Sequence, residues 1–266
     1  MSKTDHAIHQ INQLNTLAGR NQWMNQIHPL VKFVLTIVYI VTTVSFPKYD
    51  VIGLLGMMVY PLALFMLADL SFRDSLHRLR IVLPLVCLIG VLNPLFDHNV
   101  IMVGQTQVSA GLLSMVTLIL KGIFCVFASY LLIATTTIEK ICYALRLLHV
   151  PKIMVNQFLL TYRYITLLLA EVSRITQAYS LRAPKQKGIH FKVWGSLVGQ
   201  LLLRSIDRAD TVYESMQLRG FCGEFQYVGE KSRMKAGDVL FLLVWLAVFV
   251  LFRTYPVLLL VGNLMT

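Results

Sequence analysis

Five apolar runs dominate the chain: about Leu30 to Phe46, Val51 to Ala68, Ile81 to Phe96, Leu112 to Ala134 and Val239 to Phe252. Crossing about 30 Å of hydrocarbon takes roughly 20 apolar residues as a helix, fewer where the bilayer thins or flanking side chains snorkel. Each run is read as one span, the first, third and fifth being short enough that their ends are indistinct. The fold class is therefore all-α, a polytopic membrane protein with about five transmembrane helices and long amphipathic cytoplasmic helices. Composition agrees, since only 14% of residues are charged where a soluble domain carries about a quarter. Disorder, a disulfide-stapled fold and a simple soluble enzyme are excluded. Met1 to Gln26 is polar, so a cleavable signal is not expected.

The charge lies elsewhere. Between Lys140 and Lys235 stand fifteen Lys and Arg against six Asp and Glu, which leaves little of the chain's +11 for the rest. Lys and Arg stay on the cytoplasmic side. The N-terminal arm carries Lys3, Arg20 and Lys32, and the loop from Asp69 to Arg80 carries Arg73, Arg78 and Arg80. The loop from Asp97 to Ala110 has no Lys or Arg, and the tail beyond Arg253 has none. Five alternating spans then put the N-terminus inside and the C-terminus outside, in the cell's inner (plasma) membrane. The domain boundaries expected are 1–134 for a membrane part of four spans, 135–237 for a cytoplasmic domain and 238–266 for the last span.

Pro61, Pro84 and Pro94 should kink spans, which bundles in lipid tolerate. Lys121 sits mid-run, where a charge costs roughly 2.5 to 3.5 kcal/mol. Either it makes an internal polar contact, or it is the true start of the span and Leu112 to Leu120 is re-entrant or interfacial; the second reading is preferred.

From Pro151 the period changes. Lys152 to Ala183 contains no Gly or Pro and alternates apolar and charged residues at helical spacing, with Arg163, Glu171, Arg174 and Arg182 near one face. Pro184 stops this helix and leaves Arg182 in its last turn. A second helix, about Trp194 to Arg219, places Arg204, Arg208, Thr211, Ser215 and Arg219 on one stripe, and Gly220 ends it. Basic residues at helix ends complement the dipole, and basic amphipathic helices lie on anionic lipid. Two helices with the same Arg-then-breaker ending point further, to docking, because Arg is over-represented among the anchors of protein interfaces.

Motifs for other chemistry are missing. There is no GxxxxGK[ST] phosphate loop and no HExxH, and the histidines do not cluster. Glu171 and Arg174 read as a plain i,i+3 ion pair. Cys87, Cys125, Cys142 and Cys222 form no CxxC pair and read as buried thiols. No catalytic residue, metal ligand or cofactor is assigned. Helices this apolar on one face make lipid or protein the partner rather than nucleic acid.

The run LLLRSIDRADTVYESMQLRGFCGEF, Leu201 to Phe225, resembles the end of the cytoplasmic domain in T components of energy-coupling factor (ECF) transporters, above all the cobalt-type, CbiQ-like ones. ALRLLHVPKIMVNQFLLTYRYI, Ala144 to Ile165, and QIHPLVKF, Gln26 to Phe33, are similar to other stretches of that family. Its two short Arg motifs, often Ala-Arg-Gly, map onto Leu181-Arg182-Ala183 and Leu218-Arg219-Gly220. Leu replaces the usual Ala in both, and Ala183 with Pro184 replaces the Gly of the first. The resemblance implies a scaffold without a substrate site of its own, itself no enzyme, linking two ATP-binding cassette ATPase subunits to a small substrate-binding membrane subunit. Arg182 and Arg219 would each enter a groove on one ATPase, with Arg163, Arg174, Arg204 and Arg208 supporting the coupling helices. Cobalt is the implied cargo. A nickel or vitamin T component is the alternative, and a membrane-embedded enzyme, suggested by Lys121, Glu171 and the histidines, the more distant one.

Overall fold

The structure is a computed structural model of the chain and describes residues 9, 11, 13, 15–20, 22–70, 84, 86–91, 100–103, 106–184, 188–223 and 234–254. The loop carrying Arg73, Arg78 and Arg80, Pro94, the tail beyond 254 and most of the third predicted span lie outside these residues. Two compact units divide the chain. One is Ala18–Thr137 with Ser232–Thr266, and the other is Met1–Leu17 with Ile138–Lys231.

The first unit holds α1 (Trp23–Gln26), α2 (Pro29–Val44), α3 (Val51–Gly56), α4 (Val59–Leu67), β1 (Val100–Val103), β2 (Thr106–Ser109), α5 (Ala110–Thr135) and α9 (Ala236–Thr254). The second holds α6 (Ile138–Leu147), α7 (Lys152–Arg182) and α8 (Phe191–Leu218). The protein is an all-α polytopic membrane protein in its main body, with one addition that the sequence reading lacks: β1 and β2 form a short antiparallel hairpin in which Val100 faces Ser109 and Val103 faces Thr106. Val100, Ile101, Val103, Thr106 and Val108 are β-branched, and such residues favour a pleated backbone. By length and apolar content α5, α7 and α9 are each able to cross a membrane, and the apolar helical stretches Pro29–Val44 and Val51–Leu67 are shorter.

His28 caps α2 by accepting from the Leu30 N–H at 3.3 Å, and Pro29 takes the first helical position, where its missing N–H costs nothing. At 16 residues α2 is about 24 Å long, less than the hydrocarbon thickness. Side chains tie both its ends to other helices. Buried Lys32 donates to the carbonyls of Met24 (3.2 Å) and Thr135 (2.8 Å), and Thr135 ends α5, where the helix dipole favours a cation. At the other end Lys121 donates to the carbonyls of Val44 (2.9 Å) and Phe46 (2.6 Å). Arg253 donates to the Ser45 carbonyl at 3.1 Å and sits 4.8 Å from the centre of the Phe46 ring. Helix α5 runs unbroken through Lys121, so Leu112 to Leu120 continues the same helix, and Lys121 makes the internal polar contact of the first sequence reading.

Pro61 does more than kink. It lacks the N–H that would reach the carbonyl of Met57 four residues back, and the helix divides there into α3 and α4. The vacated carbonyl accepts from the hydroxyl of Tyr39 at 3.0 Å, a residue of α2 that is fully buried. Tyr39 also stacks on Tyr60 at 4.5 Å, and Trp245 and Phe249 of α9 meet Tyr60 edge-on at 4.9 and 5.1 Å. Such ring pairs contribute ~0.5 to 1.5 kcal/mol each beyond their burial. Residues 86–91 are helical and lie close against α5: a Cβ at Gly122 would stand 3.0 Å from a Val86 methyl, and one at Gly90 would stand 3.3 Å from Met115. Small residues allow backbones to approach in this way where lipid gives no hydrophobic drive.

Tyr39→Phe should cost about 1 to 2 kcal/mol, the usual penalty for orphaning a buried acceptor. Adding Pro61→Ala returns an N–H to the Met57 carbonyl, so the double variant should regain most of the loss. Thermal unfolding in detergent reads both, and a double variant no more stable than Tyr39→Phe alone would contradict the pairing.

Candidate functional site

Within the second unit, α6 ends in a Schellman turn: His149 adopts φ 62°, its N–H reaches the Arg146 carbonyl at 3.1 Å, and the Val150 N–H reaches that of Leu145 at 3.2 Å. Pro151 then opens α7. Cys142 of α6 is buried, and burial, reinforced by Glu139, pushes its thiol above the ordinary cysteine range, away from nucleophilic character. All four cysteines are free, with Cys222 exposed.

Helices α7 and α8 run antiparallel. Asn156, near the start of α7, donates to the carbonyl of Gly223, just past α8, at 3.0 Å. Fifteen residues further along α7, Glu171 forms an ion pair with Arg204 of α8. Glu171 also holds Arg174 on its own helix at 3.6 Å. It is the one acid in α7, and its side chain is 22% exposed against 58% for Arg204. The sequence reading contained the Glu171–Arg174 spacing and both arginines but not the pair across the helices. Only Val155 and Ser173 of α7 are buried, and α8 buries nothing.

Both predicted arginine ends are open. Arg182 is the last residue of α7, and the Ala183 N–H behind it bonds the Tyr179 carbonyl at 3.0 Å. Leu181 beside it is 82% exposed. Leu218 closes α8 and is 90% exposed; Arg219 caps it. Gly220 follows at φ 78°, with its N–H on the Gln217 carbonyl at 2.9 Å and the Phe221 N–H on that of Met216 at 3.0 Å. This is a Schellman turn, and it needs the left-handed backbone that glycine adopts freely. Because the helices are antiparallel, the two arginines sit at opposite ends of the pair, on the order of 30 Å apart at 1.5 Å per residue. Arg163, Arg174, Arg204 and Arg208 are exposed along the same two helices, and the last three line the groove between them.

The helix pair thus has little core and an exposed arginine at each end. In comparison with known families, residues 20–228 match the family model described as CbiQ, cobalt transport protein. The chain belongs to the CbiQ cobalt transport family. An uncharacterized protein of Methanocaldococcus jannaschii is 24% identical over 231 residues, which cover 83% of this chain and 78% of that relative. Membership makes the protein a membrane transport component of the CbiQ kind and not a catalytic subunit. In this CbiQ-family chain, no group of three or more His, Cys, Asp or Glu able to hold a metal ion occurs among the described residues.

Gly220→Ala forces a side chain into left-handed backbone and should cost about 1 to 2 kcal/mol at the end of α8. The expected signature is faster amide exchange confined to residues 216–221, while exchange across α7 stays unchanged. Exchange rising equally in both helices would show instead that the turn supports the whole pair.

Proposed function

We propose that this chain is the transmembrane T component of an energy-coupling factor importer. It would carry the closure of two cytoplasmic ATP-binding cassette ATPases to a small substrate-binding membrane subunit, with cobalt the cargo favoured by the family description. The observation that carries this reading is the pair of exposed arginines at opposite ends of one ion-paired helix pair. Two separate partners can each take one end, and a lever about 30 Å long joins them. Arg presents a planar fork that binds carboxylates and carbonyls in two-point fashion, which suits it to a groove on a partner.

The remaining placements belong to the same proposal. The 135–237 segment is cytoplasmic, 1–134 and 238–266 form the membrane part, the N-terminus lies inside, and the membrane is the cell's inner one. Although α7 is apolar enough to span, its Glu171 pairs with α8, and α8 carries Lys192, Arg204, Asp207, Arg208, Asp210 and Glu214. A central charge in a lone helix costs roughly 2.5 to 3.5 kcal/mol even on insertion scales. Charges this numerous on the partner helix disfavour hydrocarbon, which supports a surface position for the pair.

Changing Arg182 or Arg219 to Glu should remove roughly 2 kcal/mol or more of ATPase association each, the range of an interface anchor. Co-purification of the ATPases with the tagged variant measures this. Undiminished recovery with the Arg182→Glu, Arg219→Glu double variant would overturn the assignment.

A further inference from the structure

Between α7 and α8 runs a groove of about 810 Å³, and its chemistry changes along its length. Toward the middle of α7 it is lined by Arg174, Arg204 and Arg208 beside Glu171. Toward the start of α7 and the end of α8 it is lined by Leu160, Tyr164, Leu168, Val212 and Met216, with Asp210 between. From Gln157 to Arg174 the lining follows α7 for roughly 25 Å. Glu171 is shared by Arg174 and Arg204, and it fixes both guanidiniums at the groove's head without consuming their donors, since each carries five N–H groups.

We propose that this groove binds one anionic phospholipid, the phosphate held by Arg174, Arg204 and Arg208 and an acyl chain lying along Leu160, Leu168 and Met216. A phosphate matches guanidiniums that line one end of a groove, and the apolar half offers the rest of such a molecule a surface that water would otherwise cover. A cytoplasmic membrane face supplies this amphiphile in quantity, and basic residues there gain about 1 kcal/mol each from anionic lipid. The proposal rests on the surface position of α7 and α8, not on docking by Arg182 and Arg219.

The full chain, purified and equilibrated with vesicles of phosphatidylcholine containing phosphatidylglycerol, should retain phosphatidylglycerol selectively in native mass spectrometry. Arg174→Gln with Arg208→Gln keeps the Glu171–Arg204 pair and should weaken that retention at least about tenfold, because it removes two charge-assisted contacts to the phosphate. Leu168→Trp should displace the lipid with no change of charge. Arg163→Gln with Lys192→Gln removes the same charge outside the groove and should leave retention intact. Equal loss in the two charge-removing pairs would mean diffuse surface attraction and would overturn the site, as would equal retention of phosphatidylcholine. Photo-crosslinks from Leu160 or Met216 in the assembled transporter that land on polypeptide rather than lipid would also overturn it. ATPase recovery separates the two readings: groove variants should keep the ATPases and lose the lipid, whereas Arg182→Glu with Arg219→Glu should do the reverse.

Discussion

A carbonyl in hydrocarbon finds no water, so every helix that ends or breaks inside a bilayer needs a donor from somewhere else. Helix α2 is short enough to face this demand at its far end, and the donors are Lys121 and Arg253, which arrive from the middle of α5 and the end of α9. The carbonyl released by Pro61 takes its donor from Tyr39, and the last carbonyl of α5 takes one from Lys32. Each of these bonds crosses from one helix to another. The same side chains that satisfy the backbone therefore fix which helices are neighbours, and the aromatic cluster of Tyr39, Tyr60, Trp245 and Phe249 packs where they place it.

The second unit is built on the opposite principle. Its long helices bury almost nothing and meet at charged or polar points, Glu171 with Arg204 and Asn156 with Gly223. An exposed ion pair contributes only about 0.2 to 1 kcal/mol, too little to hold two 28- to 31-residue helices by itself. What such contacts provide is register. They fix the offset of the antiparallel α7 and α8 and leave the greater part of both surfaces exposed.

Legibility in the sequence follows from how local each signal is. Pro184 and Gly220 act on their own neighbours, so the ends of α7 and α8 fall within a few residues of where composition places them. Gly220 can be seen in the chain as a helix stop, whereas His149 and Asp69 take the same left-handed backbone with only the mild preference of their residue types to announce it. The partners of Lys121 are illegible for a related reason. Hydropathy registers the cost of its charge but not the carbonyls of Val44 and Phe46, which lie more than 70 residues away in the chain and reach it only after folding. The break at Met57 is half legible: Pro61 shows which N–H is missing, but only the structure shows that Tyr39 replaces it.

The arginine ends combine both kinds of information. That Arg182 and Arg219 close their helices is local and readable from the breakers after them. That they stand at opposite ends of a single object depends on the antiparallel arrangement, which the short connection between Arg182 and Phe191 dictates, since it cannot carry the chain back along a 31-residue helix. Had the helices packed parallel, both arginines would lie at one end and suit a single partner. The short connection thus decides something about the two tips that neither tip reveals: they lie a helix length apart, with the Glu171–Arg204 pair setting the offset of one helix against the other.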